Sequence, residues 1–179
     1  MYLRNFTAIS ALALLAACWQ SDQPLIPTGE ADSPPQIAGT YDITSEASGQ
    51  DGAATVAKGK AAGTFDFEAT DADGLPVKRV LRFDQLSGEW YLLQAQTVDQ
   101  QKGPGQPNYR IVRVGGGLIR EYEPGCGSPE AAIPDVKVEE GDCTFTTYAG
   151  LRAAALGRLK LAQGGDSASL SLQKIYSRK

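Results

Sequence analysis

The chain of 179 residues is long enough for one domain of ordinary size with a hydrophobic core. Its 17 basic and 21 acidic residues give a formal net charge of -4, and without a basic cluster a nucleic acid is not expected as a partner. The chain has no histidine, which excludes Ser-His and Cys-His nucleophile pairs and an imidazole base.

Residues 1–17 have the pattern of a secretory signal peptide. Arg4 is the only charge before an apolar run of twelve residues from Phe6 to Ala17. The run ends in two small residues, as a cleavage site does. It is too short to cross a bilayer, which takes about 20 residues. We therefore expect a targeting segment that is removed.

The end of this segment carries a family resemblance. Leu15-Ala16-Ala17-Cys18 resembles the lipobox of bacterial lipoproteins, in which a branched and two small residues precede the cysteine. The resemblance implies that the Cys18 sulfur receives a diacylglyceryl group and that the new amino group is acylated, for instance with palmitate. The expected partner of Cys18 is then the lipid bilayer. Trp19 follows where Asp often marks inner-membrane retention, which favours the outer membrane, facing the periplasm.

Residues 18–36 read as a lipidated cysteine followed by a tether. The sequence "WQSDQPLIPTGEADSPPQ" holds four of the ten prolines together with small polar and acidic residues. Proline cannot donate to a sheet ladder, and proline-rich stretches form extended spacers. We expect a flexible tether here, and a folded periplasmic domain over residues 37–179.

Most of the domain alternates with period two. Phe65, Phe67 and Ala69 fall on one face of "GTFDFEAT", and Ile37, Tyr41 and Ile43 share a face in "IAGTYDIT". Similar runs continue to the C-terminus, separated by glycine-rich turns such as the one after Val114. The pattern predicts a mainly β fold, an antiparallel barrel or sandwich of about seven or eight strands.

The first of these strands carries a second, shorter resemblance. "GTYDI" after a proline-rich stretch is similar to the opening strand of lipocalin-like and small inhibitor barrels, although Tyr41 stands where such barrels often have Trp. Five residues are too few to imply a ligand.

Arginines and aromatic residues recur together in the predicted strands. On a shared concave face they would form a surface for an anion or a sugar-like ligand. The alternative is that each arginine lies on the outer face of its strand. The candidate surface comprises Arg79, Arg82, Trp90, Tyr91, Tyr109, Arg110, Arg113, Arg120 and Tyr122.

The two remaining cysteines, Cys126 and Cys143, are expected to form a disulfide, since the mature chain would lie in an oxidising compartment. The sequence between them has two prolines, five acids and little that can pack. A metal site is the alternative, but two thiolates without histidine are not a zinc ligand set. We expect no metal and no cofactor.

One helix is predicted near residues 147–159. Thr146 or Thr147 can cap its start, and Leu151, Ala155 and Leu159 recur at helical spacing. Gly157 costs about 1 kcal/mol relative to Ala, so the helix is expected to end near it.

Two classes of function remain. The first is a non-catalytic, membrane-anchored module that binds a protein or a small anionic ligand. The second is a hydrolase or transferase that uses carboxylates. The acid pairs Asp66/Glu68 and Glu121/Glu123 are both expected to face solvent, so we expect no catalytic residue and favour the first class.

Overall fold

The computed structural model describes residues 19–27, 36–46, 52–70, 74–99 and 103–179. The predicted signal peptide and Cys18 lie outside these residues. Within them are twelve strands and two α-helices. The strands are β1 Trp19–Gln20, β2 Gly39–Ser45, β3 Gly52–Lys58, β4 Thr64–Thr70, β5 Pro76–Ser87, β6 Trp90–Asp99, β7 Gly103–Pro104, β8 Asn108–Gly115, β9 Leu118–Pro124, β10 Val136–Glu139, β11 Asp142–Phe145 and β12 Leu170–Arg178. The helices are α1 Ser128–Ala131 and α2 Tyr148–Gln163.

Eight strands close into an antiparallel barrel. β2, β3, β4, β5, β6, β8, β9 and β12 each pair with the next, and β12 pairs back onto β2. Every strand of the ring therefore has two hydrogen-bonded neighbours, and no edge is left open. The predicted mainly β fold is confirmed, and of its two alternatives the structure has the barrel.

The barrel interior is packed with the side chains of one strand face. Tyr41, Ile43, Phe65 and Phe67 are buried in this inner core, as their alternation predicts, and β5, β6 and β8 contribute further apolar residues. The turn between β8 and β9 is Gly116-Gly117, both with positive φ (61° and 75°), which fits a tight two-residue hairpin turn.

A second core lies outside the barrel wall. Helix α2 buries Leu151, Ala155 and Leu159 together with outward-facing residues such as Leu92 and Ile111. The side chain of Thr147 caps the helix by accepting a hydrogen bond from the Gly150 amide. The predicted end near Gly157 is wrong, because α2 continues to Gln163. Burial of Arg158 and Leu159 offsets the poor helix propensity of the glycine.

The segment between the two predicted disulfide partners is folded. Cys126 and Cys143 form a disulfide. The loop that they enclose contains α1 and the hairpin β10–β11, and its Ile133, Val136 and Val138 pack against the second core. The expectation that little of this loop packs is therefore wrong, because its few apolar side chains find partners on the barrel wall.

The first part of the predicted tether is folded against the barrel, so the prediction of a flexible segment is wrong there. Residues 19–27, which we call the N-terminal clasp, lie against the barrel: Trp19 pairs with Tyr109 of β8 and Cys143 of β11, and its side chain is 0% exposed. Ile26 is also buried. The described fold therefore includes residues 19–27, which precede the predicted start at Ile37. Residues 28–35, the rest of the predicted tether except Gln36, lie outside the described residues.

Candidate functional site

The barrel divides the predicted arginine and aromatic surface between two faces. Successive residues of a strand point to opposite sides, so residues from one strand cannot all share a concave face. Among the predicted residues, Arg79, Tyr91 and Arg110 are on the inner face. The outward-facing members are Arg82, Trp90, Tyr109, Arg113, Arg120 and Tyr122.

Two of the outward-facing residues bind the clasp. Arg82, Gln94 and Tyr109 are direct neighbours across β5, β6 and β8. The guanidinium Nη1 of Arg82 donates to the Ile26 carbonyl at 3.1 Å, and the Tyr109 hydroxyl lies 2.6 Å from that of Ser21. Burial raises the pKa of Tyr109, so the phenol stays protonated. These two residues therefore hold the protein's own N-terminal segment.

Gln94 completes this row and was not predicted. Its side-chain oxygen accepts hydrogen bonds from the backbone amides of Leu25 and Ile26, at 2.9 and 3.0 Å. The residue is 1% exposed. Nothing in the sequence marks Gln94 as buried, because it lies on the outer face of its strand and only the clasp covers it there.

Three of the remaining outward-facing residues lie on another part of the wall. The rings of Trp90 and Tyr122 are 5.4 Å apart, and the guanidinium of Arg113 lies 5.8 Å from the Trp90 ring centroid. Arg113 is also paired with Glu89 at 3.0 Å. The positive charge of Arg113 is therefore already paired with a neighbouring carboxylate in an exposed ion pair.

The polar groups of the interior gather at one end of the barrel, where β8 begins and β9 ends. We call this set the mouth cluster. It comprises Arg79, Arg110, Glu121, Glu123, Lys174 and Tyr176. Lys174 belongs to it because it pairs directly with Glu121, and direct cross-strand partners share a face. The cluster holds three cations and two carboxylates.

The positions of Glu121 and Glu123 differ from the prediction. Glu121 and Glu123 were expected to face solvent, but their side chains are only 13% and 12% exposed and lie beside Arg110. Asp66 and Glu68 are exposed, as expected. In "LIREYEP" the glutamates share parity with Ile119, an inner-face residue. That parity is the signal that could have placed them inside.

Arg110 is the centre of the paired charges. Its Nη2 lies 3.3 Å from Glu123 Oε1 and its Nε lies 3.9 Å from Glu121 Oε1. Both contacts are ion pairs whose geometry falls short of a hydrogen bond, and Glu123 Oε1 has no hydrogen-bond partner within the described ranges. The hydroxyl of Tyr176 donates to Glu121 Oε2 at 2.7 Å. Burial first, and then the charge of Glu121, raises the Tyr176 pKa well above its ordinary value, so this phenol remains a donor.

Arg79 differs from Arg110. Its guanidinium carbon lies 5.9 Å from the Phe67 ring centroid, a weak cation–π contact. Its Nε is buried without a hydrogen-bond partner in the described part of the chain, and no described carboxylate forms an ion pair with it. Burying such a donor unpaired costs about 1–3 kcal/mol or more. Arg79 is thus a cation whose Nε–H makes no hydrogen bond to a described residue.

A small cavity, which we call the mouth cavity, adjoins Arg79 and Arg110. Its volume is about 40 Å³, and its walls are largely apolar, formed by side chains such as Val56, Leu81 and Val112. A buried water needs about 10–15 Å³ of cavity space, so the cavity holds roughly three water-sized groups. That is the size of a carboxylate group.

A larger hollow of about 520 Å³ lies at the opposite end of the barrel, beside the turn Gly116-Gly117. Its arginine, Arg178, is engaged, since Nη2 donates to the carbonyls of Gln36 and Ala38, the latter at 2.8 Å. The mouth cavity is the better candidate site because it alone of the two has a cation with free donors.

Metal-binding clusters and membrane-spanning helices are both absent from the described ranges. No group of three or more Cys, Asp and Glu side chains there is placed to hold a metal ion. None of the helices in those ranges has the length and apolar character needed to cross a bilayer.

Comparisons of the chain with protein-family models, curated proteins and solved structures give no match. Function must therefore be inferred from the residues of the mouth cluster and from the N-terminal sequence.

Proposed function

We propose that this protein is a lipid-anchored lipoprotein of the bacterial envelope whose barrel binds a small carboxylate ligand without catalysing a reaction. The ligand proposal depends on one observation above all. The buried Nε of Arg79 has no hydrogen-bond partner among described residues, beside a cavity of carboxylate size.

The anchor is supported by the sequence Leu15-Ala16-Ala17-Cys18 and by the oxidised pair Cys126–Cys143. Two or three acyl chains give stable attachment, since each buried CH₂ contributes about 0.8 kcal/mol and one chain alone is marginal. A disulfide fits an oxidising compartment such as the periplasm. Trp19 after the cysteine favours the outer membrane.

The choice of a carboxylate follows from chemistry and size. A guanidinium recognises a carboxylate through two parallel N–H donors, and Arg79 has free donors toward described residues. The cavity leaves little room beyond the carboxylate itself, so we propose a ligand as small as acetate. Partial burial strengthens the attraction between the Arg79 guanidinium and an anion relative to water.

The alternative, a carboxylate-dependent hydrolase or transferase, has one supporting observation: Glu121 and Glu123 both reach the mouth cluster. Acid–base catalysis needs a carboxyl group within reach of the substrate proton. Both glutamates are instead directed at Arg110, and Tyr176 occupies an oxygen of Glu121. We therefore place binding first.

The test is a titration of the full-length protein, purified in detergent, with acetate. The side-chain Nε–H resonance of Arg79 in a ¹⁵N-labelled sample should shift to saturation, whereas acetamide, the uncharged control of the same size, should leave it in place. Arg79→Gln should abolish binding measured by calorimetry. Arg120→Gln is the matched control, because Arg120 is on the outer face of the same barrel, and it should bind as the wild type does.

Equal responses to acetate and acetamide, or unchanged binding in Arg79→Gln, would contradict the ligand proposal. Turnover of ester or glycoside substrates that is lost in Glu121→Gln with the fold retained would favour the enzyme.

A further inference from the structure

The N-terminal clasp is bound to the barrel along its length. Trp19 is completely buried, and its indole N–H donates to the Gly125 carbonyl at 3.0 Å. Further along, the backbone of Leu25 and Ile26 is held by Gln94, and Ile26 also by Arg82. These contacts involve residues 56 to 106 positions away in the chain. The clasp is thus part of the tertiary structure and cannot act as a spacer while it is bound.

The start of the clasp is adjacent to the proposed lipidation site. Cys18 and Trp19 are consecutive, and consecutive Cα atoms across a trans peptide are about 3.8 Å apart. A lipid on the Cys18 sulfur is therefore attached one residue away from a side chain buried in the domain. A spacer of about 12 Gly/Ser residues would, by comparison, span roughly 20 Å.

We infer that the domain rests directly on the bilayer, with the face around the start of the clasp toward the lipid head groups. This inference rests on the lipidation of Cys18 proposed above. The partner is the bilayer that holds the protein's own acyl chains, because the covalent link is too short to let the domain move away or rotate freely.

The neighbours of Trp19 identify the membrane-facing surface. Trp19 pairs with Cys143, which follows the turn of the hairpin β10–β11, and contacts Gly125, just before α1. The hairpin turn and the start of α1 therefore flank Trp19, the first described residue. Glu139 and Glu140 at this turn are exposed, and Lys137 balances only one of them, at 2.9 Å from Glu139, so an uncharged bilayer surface suits this face better than an anionic one.

The mouth cluster lies close to the same face. Gln20, the second residue of the clasp, pairs with Asn108, which lines the mouth cavity. The end of the barrel that holds the mouth cluster is therefore two residues along the chain from the proposed lipidation site.

The experiment uses the lipidated full-length protein in phosphatidylcholine vesicles that contain an acceptor dye on their head groups. A donor dye is placed on Ser128→Cys, at the exposed start of α1, or on Thr55→Cys. Thr55 is exposed on β3, four strands from β8 in either direction around the ring. We expect clearly higher energy transfer from position 128 than from position 55.

A flexible Gly/Ser insertion between Cys18 and Trp19 should abolish this difference, because the domain can then rotate. The same insertion between Gly116 and Gly117, at the opposite end of the barrel, is the matched control and should preserve it. Equal transfer from both positions in lipidated wild type would overturn the inference. Protein that carries no lipid and does not bind vesicles would instead overturn the anchor proposed above.

Discussion

Arg178 lies over the ring of Tyr41, with its guanidinium carbon 5.7 Å from the ring centroid. The pair joins the last strand of the barrel to the first. The Tyr41 hydroxyl donates to the Ile37 carbonyl at 2.6 Å, and Arg178 donates to the Ala38 carbonyl at 2.8 Å. Gly39 leaves room for the guanidinium, since a Cβ there would lie 3.3 Å from Nε of Arg178. This arrangement fixes the chain that enters β2 across one end of the barrel.

We expect Arg178→Gln to lower the free energy of unfolding by about 1–2 kcal/mol, because charge-assisted hydrogen bonds to two carbonyls are lost. Urea denaturation followed by circular dichroism measures this. Lys179→Gln, which removes the exposed pair with Asp42, is the control and should change stability little. If Arg178→Gln lowered the free energy of unfolding no more than Lys179→Gln does, the contact of Arg178 with residues 36–41 would contribute nothing.

The buried pair Arg158–Glu130 joins α2 to α1. Arg158 Nε donates to Glu130 Oε1 at 2.6 Å, and Nη2 donates to Oε2; the residues are 8% and 1% exposed. Arg158→Met should destabilise the domain by about 3–5 kcal/mol, because it leaves a buried carboxylate without its partner. The double variant Arg158→Met/Glu130→Met should recover much of this loss. Additive losses in chemical denaturation would show that the two side chains act independently.

Stability should fall at high pH. Burial, followed by the hydrogen bond and charge of Asp84, raises the pKa of Tyr148 from 10.0 to about 12. Between these values the folded state keeps a proton that the unfolded state has lost, so the free energy of unfolding decreases as pH rises from 10 toward 12. Tyr148→Phe should show a smaller decrease between pH 9 and 12 in urea denaturation. The same decrease in both proteins would contradict the prediction.

Removal of the disulfide should destabilise the domain without abolishing the barrel. Cys126 and Cys143 are 17 residues apart, and a loop of this size corresponds to about 3 kcal/mol in the chain-entropy model. Cys126→Ser/Cys143→Ser should show this loss in urea, and reductant should affect only the wild type. Sensitivity of the double variant to reductant would point to another cause.

The proposed lipid anchor depends on the sulfur of Cys18. Cys18→Ser should give an uncleaved or soluble protein, because the substituted chain cannot receive the diacylglyceryl group. Metabolic labelling with a radioactive fatty acid should mark the wild type and leave the variant unmarked. An unlabelled wild-type band would refute lipidation. Trp19 is retained in both proteins, so differences in the clasp do not confuse the result.

Much of the barrel follows from local pattern. Alternation in "GTFDFEAT" places Phe65 and Phe67 on the buried face, and the glycines after Val114 provide the positive φ that a tight hairpin turn needs. Cys126 and Cys143 form the predicted disulfide. These features depend on residues close in sequence or on the number of cysteines, so they can be read without the fold.

The position of the mouth cluster was decided by tertiary structure. Helix α2 and the clasp bury part of the outer wall, so on β8 both Ile111, facing out, and Val112, facing in, are 0% exposed. Hydrophobicity along such a strand does not reveal its inner face. Sequence parity groups Glu121 and Glu123 with Ile119, but which face of β9 points inward depends on how the ring of strands closes.

The clasp shows the same limit for the N-terminus. Its proline-rich composition suits a spacer or an extended segment bound to a surface, and the sequence by itself determines only that it forms no long strand. Trp19 is buried because Gly125, 106 residues away, and Cys143 meet it in the folded protein. Local sequence determined the strands and turns, since these depend on neighbouring residues. Contacts between distant parts of the chain decided which polar side chains face the cavity and that the clasp packs on the barrel.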